Sequence, residues 1–492
     1  MLHFDYRLYM DDAMDFKISS IKIKCATSTV LVPFSDSITF FCGNTGVGKT
    51  TLLNLISYAL GQNPVRAQII DDEVKYVSVN ALVCGKRLLI ERKIASNLIT
   101  VADEHTRYSF YAKGDSGCRD TFSDFLYNLV EIKPIEMLQG RSSKSVKITF
   151  SNFMWYAYLR QDELDNTLFY LGDETRNRNP KKYASNYVLR TIFDQSELMK
   201  KDFTKRVNSI NEKQQRVETK LSVMRELSSA SKLLKINIGD EIARKHLLLG
   251  TLNAELARQK MPTDESQLKA LLELFRKSGK YEAEIQYLKE FRKIKRFQET
   301  NETLWEEYED EKQFYYRQIG SINNRPFINN VSKLQVFFKD CLLGVGFPSF
   351  SAKDSIIIDK ESFVPSVHSN TGEFRFNYQT LSSSGIRTIF KICYALAIQR
   401  FVLEEKIITL LPSFMIIDTP MKNISERIDK SLYMKLYEYF YKSFSKGGIL
   451  EGQQLILVDK EFPQIFMDHE VPHKIYTRES PLIPRANQKG DF

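Results

Sequence analysis

Eight residues constrain this chain more than any others. Gly43-Asn44-Thr45-Gly46-Val47-Gly48-Lys49-Thr50 is a complete G-x-x-x-x-G-K-T spacing. The apolar run at 37–41 (SITFF) leads into it, and residues 51–60 (TLLNLISYAL) follow with helical apolar spacing. Strand, glycine-rich loop and helix form the context that a phosphate-binding loop needs. Glycines let backbone N–H groups curl around phosphate oxygens. Lys49 brings a point charge to the β- and γ-phosphates, and Thr50 offers a hydroxyl to Mg²⁺. The helix that follows turns its positive end toward the same anion. The expected contacts to ATP are Asn44, Gly46, Gly48, Lys49, Thr50 and Thr51.

A second element lies far downstream. Phe414-Met415-Ile416-Ile417 is an apolar run that ends in Asp418. A carboxylate at the C-terminal edge of such a strand is placed to hold Mg²⁺ through water. Asp418 and Thr50 are the metal-binding residues read from the motifs themselves.

Between these two elements the composition changes. From 194 to 322 the only proline is Pro262, and charged and amide side chains crowd the segment. Phe203, Val207, Ile210, Val217, Leu221 and Met224 follow alternating 4-3 spacing, with Gln214 the one polar residue in the series. That is a coiled-coil seam. A weaker seam runs through Phe291, Ile294, Phe297, Leu304 and Tyr308, with Gly239, Gly250 and Pro262 as possible reversal points between the two. The expected organisation is an N-terminal half over 1–193, an antiparallel coiled-coil arm over 194–322 and a C-terminal half over 323–492.

The flanks read as α/β. Residues 17–42 suggest two strands, and 75–112 suggest four strands of an antiparallel sheet with a hairpin at Gly85. Residues 119–140 read as a helix. In the C-terminal half, SIIIDKESFVPSV and EFRFNYQ read as strands, and 388–401 as a buried helix. FMII and LILV (455–458) read as strands of a parallel sheet.

The formal net charge of +9 favours an anionic partner without choosing one. The six cysteines, Cys25, Cys42, Cys84, Cys118, Cys341 and Cys393, form no C-x-x-C pair and suit a reducing compartment. The first residues are acidic with no apolar core of a signal peptide, and no run of 18 apolar residues occurs. The expected location is cytoplasmic, with no membrane partner.

A phosphate-binding loop near the start, a coiled-coil insertion in the middle and an apolar strand ending in Asp near the end resemble the SMC-like ABC ATPases. The resemblance implies an ABC-type head assembled from both halves, ATP and Mg²⁺ as cofactors, and a homodimer of heads that closes over ATP. It implies Gln161, in YLRQDELD, as the Q-loop glutamine near the metal and the attacking water. It implies Leu381–Arg387 (LSSSGIR) as the signature loop, with Ser383, Ser384 and Gly385 at the partner head's ATP; Ser382 and Ser383 compete for the signature serine. Residues 419–425 (TPMKNIS) match the D-loop.

The sequence also departs from that pattern. Thr419 stands where the family carries a catalytic glutamate, Glu426 is the nearest substitute, and Asp459-Lys460-Glu461 replaces the switch histidine. The catalytic set implied is therefore Gln161, Asp418 and Glu426. The wording FMIIDTPMKN and SSSGIRTIFKICYALA resembles the ATPase subunits of bacterial anti-phage systems of the Lamassu type. That implies DNA sensing and control of a separate effector subunit. Basic runs at Arg276, Lys277 and Lys280 and at Arg292-Lys293-Ile294-Lys295-Arg296 are either a solvated helix face or a stripe for DNA phosphates. Two other classes compete. A nucleotide-clamped dimeric scaffold with little hydrolysis accords with Thr419. A GTPase lacks its N-K-x-D motif here.

Overall fold

The computed structural model describes residues 15–64, 68–113, 120–132, 134–138, 145–171, 180–193, 195–229, 237–321, 325–421 and 430–483. The chain divides into two compact units, Met1–Leu198 with Asn323–Phe492, and Met199–Ile322.

The first unit is built on two sheets. One is antiparallel and six-stranded, in the order Thr29–Pro33, Phe16–Cys25, Val74–Val83, Lys86–Lys93, Leu98–Ala102 and Arg107–Tyr111. The stretch read as two strands over 17–42 is three, because Ser28 and its neighbours reverse the chain between Cys25 and Thr29. The first strand shifts register between Ile18 and Ser20, which lets Phe16 and Ile18 on one side of the bulge and Ile21 and Ile23 on the other all point inward. The hairpin at Cys84-Gly85 has positive φ at both residues, 48° and 75°, which matches the right-handed strand twist of a two-residue turn.

The other sheet is parallel. Its order is Tyr158–Leu159, Phe414–Asp418, Gln454–Val458, Ile38–Gly43 and His473–Tyr476. The 414–418 and 454–458 strands are buried at every position, which is why they read as unbroken apolar runs. Strand Ile38–Gly43 comes from early in the chain, yet both its neighbours come from beyond residue 450. Gln454 stitches the two sheets together. Its side-chain oxygen accepts from the Ile18 amide at 2.9 Å, and its nitrogen donates to Ile18 O and Ser35 O, each at 2.7 Å. A buried amide with its partners supplied adds about 1 kcal/mol per bond and specifies one alignment.

The 119–140 stretch is not one helix. Thr121 caps a short helix, Phe122–Leu129, and Glu136–Leu138 is a strand paired with Ser145–Lys147. Pro134, lacking an N–H, stands between them and cannot extend a helix. Helix Ser384–Glu404 is buried along most of its length, and the C-terminal strands are Ser355–Ile358, Pro365–His368 and Phe374–Asn377.

The second unit is a helical hairpin. Helices Gln195–Ser229 and Ile238–Arg258 run out, and one helix, Glu265–Ser321, runs back. At 1.5 Å per residue its 57 residues span roughly 85 Å. Pairs Asn253/Ser278, Lys245/Glu284 and Gln214/Glu309 descend on one limb as they ascend on the other, so the limbs are antiparallel. The reversal falls at 259–264, around Pro262. Asp264 accepts the Gln267 amide at 2.8 Å and starts the return helix. Val207, Ile210, Gln214, Val217 and Leu221 are all buried, as the outgoing spacing predicts. Gln214 is a polar layer in the seam. It donates to Glu309 at 2.8 Å and accepts from Lys312 at 2.9 Å. Such a layer fixes register, because a slip leaves it unpaired. The return seam differs from the expected one. Phe297 is half exposed, while Asn301 is buried with its amide on the Phe297 carbonyl. Counting by threes and fours from Phe291 and Ile294 reaches Gln298 and Asn301, so the apolar Phe297 sits one step off the stripe.

Candidate nucleotide site

The parallel sheet brings its strand ends to one edge. Asp418 lies beside Val458, Val458 beside Phe41, and Gly43 beside Tyr476. Leu159 pairs with Ile417, so the turn that opens at Gln161 leaves the same edge. The C-terminal edge of a parallel sheet is where open α/β folds bind ligands.

At that edge the Gly43–Thr50 loop joins strand Ile38–Gly43 to helix Lys49–Ala59. Gly43 has φ +139°, and a Cβ there would stand 2.0 Å from the Tyr476 carbonyl oxygen. Gly48 has φ +96° and precedes the helix with its Cβ position against Leu482. Only glycine fits both places. Residues 44–46 are exposed, while Lys49 is buried. The Lys49 ammonium donates to the Gly43 carbonyl at 2.5 Å and the Asn44 carbonyl at 2.7 Å. Burial lowers its pKa, and Asp459 and Asp418 act in the opposite direction.

Thr50 Oγ1 donates to Asp418 Oδ1 at 3.4 Å, and Thr419 Oγ1 donates to the same oxygen at 2.9 Å. Asp418 is almost wholly buried, and burial raises its pKa above the ordinary carboxylate value. A hydroxyl and a carboxylate meeting at the end of the Gly43–Thr50 loop are hard oxygen donors, the set that suits Mg²⁺. Thr51 is half-buried in the first turn of the helix.

Gln161 is the first residue of a turn over 161–166. That turn is tightly held. Lys391, in helix Ser384–Glu404, is buried and donates to the Glu163 carbonyl at 2.7 Å, with its ammonium 4.8 Å from the Phe169 ring. Burial pulls its pKa down to about 8, against the pull of Glu163, Asp162 and Asp165. Tyr378 donates to the Leu164 carbonyl at 3.3 Å.

The signature-loop residues are not gathered at the Gly43–Thr50 loop. Ser383 is the cap of helix Ser384–Glu404, Ser384 its first residue, and Gly385 is buried in its first turn. The bonds of Ser383 and Ser384 stay in that helix, to the Arg387 amide and the Thr388 hydroxyl. Glu426 and residues 422–425 lie outside the described residues.

Two features were not legible in the sequence. Thr419 holds φ +55°, a left-handed conformation that strains a β-branched residue. Asp459, fully buried, receives Tyr437 Oη at 2.9 Å, Tyr433 Oη, the Met421 amide at 3.3 Å and the Lys460 amide at 2.7 Å. Burial pushes its carboxyl up to about 6. An Asp after an apolar strand was visible; the tyrosine pair four residues apart in helix Lys430–Phe444 was the only hint of what holds it.

No protein-family model and no curated protein matches the chain. Among solved structures it is similar to the Smc head domain with a coiled coil and joint from Pyrococcus yayanosii. The TM-score is 0.41 at 14% identity, over 90% of this chain and 92% of that one. It is also similar to the Smc head domain with an extended coiled coil, bound to the C-terminal domain of ScpA, from Pyrococcus furiosus. There the TM-score is 0.35 at 14% identity, over 91% and 90%. Among the described residues no helix is long and apolar enough to cross a membrane.

Proposed function

We propose that this chain is an SMC-like ATPase. ATP binds at Asn44, Gly46, Gly48, Lys49, Thr50 and Thr51, and Mg²⁺ is held by Thr50, Asp418 and Gln161. The observation that carries this reading is the contact between Thr50 and Asp418 at the edge where the Gly43–Thr50 loop and the Gln161 turn also emerge. Mg²⁺, when bound, neutralises phosphate charge and polarises the phosphoryl oxygens. Lys49 meets the β- and γ-phosphates, and Gln161 orients water. Two heads close over ATP, with Ser383, Ser384 and Gly385 of one chain completing the site of the other. The nucleotide state then governs DNA binding and an effector subunit in antiviral defence. Exposed Arg292, Lys293, Lys295 and Arg296 on the return helix support the DNA part of the reading.

The deciding experiment compares ATP and GTP binding by wild type and Lys49→Ala. Removing the ammonium leaves phosphate charge uncompensated, so ATP affinity falls at least about tenfold. Equal ATP affinity in the two proteins sinks the assignment, and a preference for GTP moves it to another class.

Thr419 favours a second reading, a nucleotide-clamped scaffold. A threonine follows Asp418 where hydrolysis calls for a general base, and its hydroxyl is turned onto Asp418 itself. Single-turnover hydrolysis separates the two. Bound ATP that persists over hours marks a scaffold.

A further inference from the structure

Two segments of the candidate site, strand Ile38–Gly43 and the turn at Thr419, converge on residues 458–460. The Thr419 amide donates to the Val458 carbonyl at 2.8 Å, the Asp459 amide to the Phe41 carbonyl at 2.9 Å, and the Gly43 amide to the Lys460 carbonyl at 3.3 Å. These backbone bonds need no particular side chain. The Asp459 carboxylate adds what the backbone cannot. Its Oδ2 takes the Met421 amide, two residues past the strained turn at Thr419.

A β-branched residue at positive φ costs about 1–3 kcal/mol and persists only where its surroundings over-determine it. At Thr419 three bonds do so. The amide is on Val458, the hydroxyl is on Asp418, and the Met421 amide is on Asp459. Asp459 is in turn fixed by Tyr433 and Tyr437 from helix Lys430–Phe444. With both oxygens engaged and no exposed surface, Asp459 has no face open to an attacking water, so it cannot act as a general base.

We propose that Asp459 is a positioning residue for the Mg²⁺ site: by holding the Met421 amide it pins the left-handed turn at Thr419 that sets the Asp418 carboxylate against Thr50. This role rests on the ATP reading above. It fits the buried hydroxyl–carboxylate pair, because a metal ligand aimed by a strained neighbour needs that strain held.

The test titrates MgCl₂ into protein with a fluorescent ATP analogue, beginning in EDTA, and follows melting temperature alongside. The proteins are wild type, Asp459→Asn, Thr419→Gly and the double variant. Asp459→Asn keeps its EDTA affinity and needs about tenfold more Mg²⁺ to reach the Mg²⁺-dependent gain, the scale of one lost charge-assisted bond. Glycine takes positive φ without strain, so in the Thr419→Gly background the same substitution shifts the Mg²⁺ requirement far less. An unshifted Mg²⁺ requirement overturns the role. So does full additivity with Thr419→Gly, or EDTA affinity that falls in step with melting temperature. If Asp459→Asn does not fold, the paired Tyr433→Phe and Tyr437→Phe variant replaces it, and the same shift supports or its absence overturns the proposal. Wild type that binds no nucleotide overturns the ATP reading itself. Wild type that binds Mg²⁺-ATP beside an unshifted Asp459→Asn overturns this inference alone.

Discussion

Thr50 Oγ1 and Asp418 Oδ1 stand 3.4 Å apart although 368 positions separate them in the chain. Neither residue is informative alone. A threonine at a helix start and an aspartate at a strand end are both common. Their meeting depends on strand Ile38–Gly43 and strand Phe414–Asp418 flanking Gln454–Val458 in one parallel sheet.

Asp418→Asn is expected to separate stability from function. Burial raises the pKa of Asp418, so its charge is held at a cost in the ligand-free protein. A neutral isostere removes that cost and gives a higher melting temperature. The same variant loses Mg²⁺-dependent hydrolysis. Calorimetry and a phosphate-release assay read the two effects; a lower melting temperature counts against a strained carboxylate.

Pairing of heads is expected to follow nucleotide. Ser383 caps helix Ser384–Glu404 and is half-buried, so Ser383→Arg adds bulk at the helix mouth without entering the core. In sedimentation with a non-hydrolysable ATP analogue, wild type forms a larger species and Ser383→Arg stays at the size of the nucleotide-free protein. Binding of ATP by the isolated chain remains. A species whose size ignores nucleotide in wild type removes the signature-loop assignment.

Lys391 gives a pH signature. Its folded pKa, about 8, lies below the ordinary lysine value of 10.5 because burial disfavours the ammonium. Between those values the unfolded chain keeps a proton that the folded chain has released. Stability contributed by this site therefore rises with pH through that window, by up to about 3 kcal/mol. The difference from Lys391→Met is the quantity to measure. Urea unfolding from pH 7 to 10 shows wild type gaining stability relative to Lys391→Met. Parallel curves rule out a perturbed lysine.

DNA binding is expected to be driven by phosphates. Arg292, Lys293, Lys295 and Arg296 are exposed on helix Glu265–Ser321, with Lys293 beside Glu290 at 2.8 Å. Each phosphate neutralised lowers log affinity by about 0.9 per unit of log salt. Reversing all four charges to Glu weakens binding to every duplex alike and flattens the salt slope. ATP binding is unchanged, because none of the four belongs to the unit that carries Lys49. A labelled duplex titrated at several salt concentrations decides it; no binding at low salt points the basic face at an acidic protein subunit.

Much of this was readable in the residues because local rules agreed with tertiary ones. The Gly43–Thr50 loop, the apolar strands and the outgoing seam each carry their structure in their spacing. The return seam was misplaced because Phe297 is apolar and Asn301 is not, while helix geometry puts Asn301 inside. What holds the site was less legible. Lys391 on the Glu163 carbonyl and Tyr433 and Tyr437 on Asp459 join residues that share no motif, and a buried lysine looks like any surface lysine in a string of letters. The turn at Thr419 is set by neighbours 38 to 40 positions away, so nothing local announces a left-handed threonine.

The woven parallel sheet also sets the order in which a growing chain acquires its parts. Strand Ile38–Gly43 cannot find either of its neighbours until Gln454–Val458 and His473–Tyr476 have been made. At about 5–20 residues per second, the first strand waits on the order of a minute beside the ribosome with its apolar edges unpaired. The helical hairpin pairs locally and forms long before that. With the Phe203 ring against Tyr315 at its base, it draws together chain segments more than a hundred residues apart and shortens the loop that remains to be closed. In biosynthesis the arm thus acts as a splint for closing the sheet.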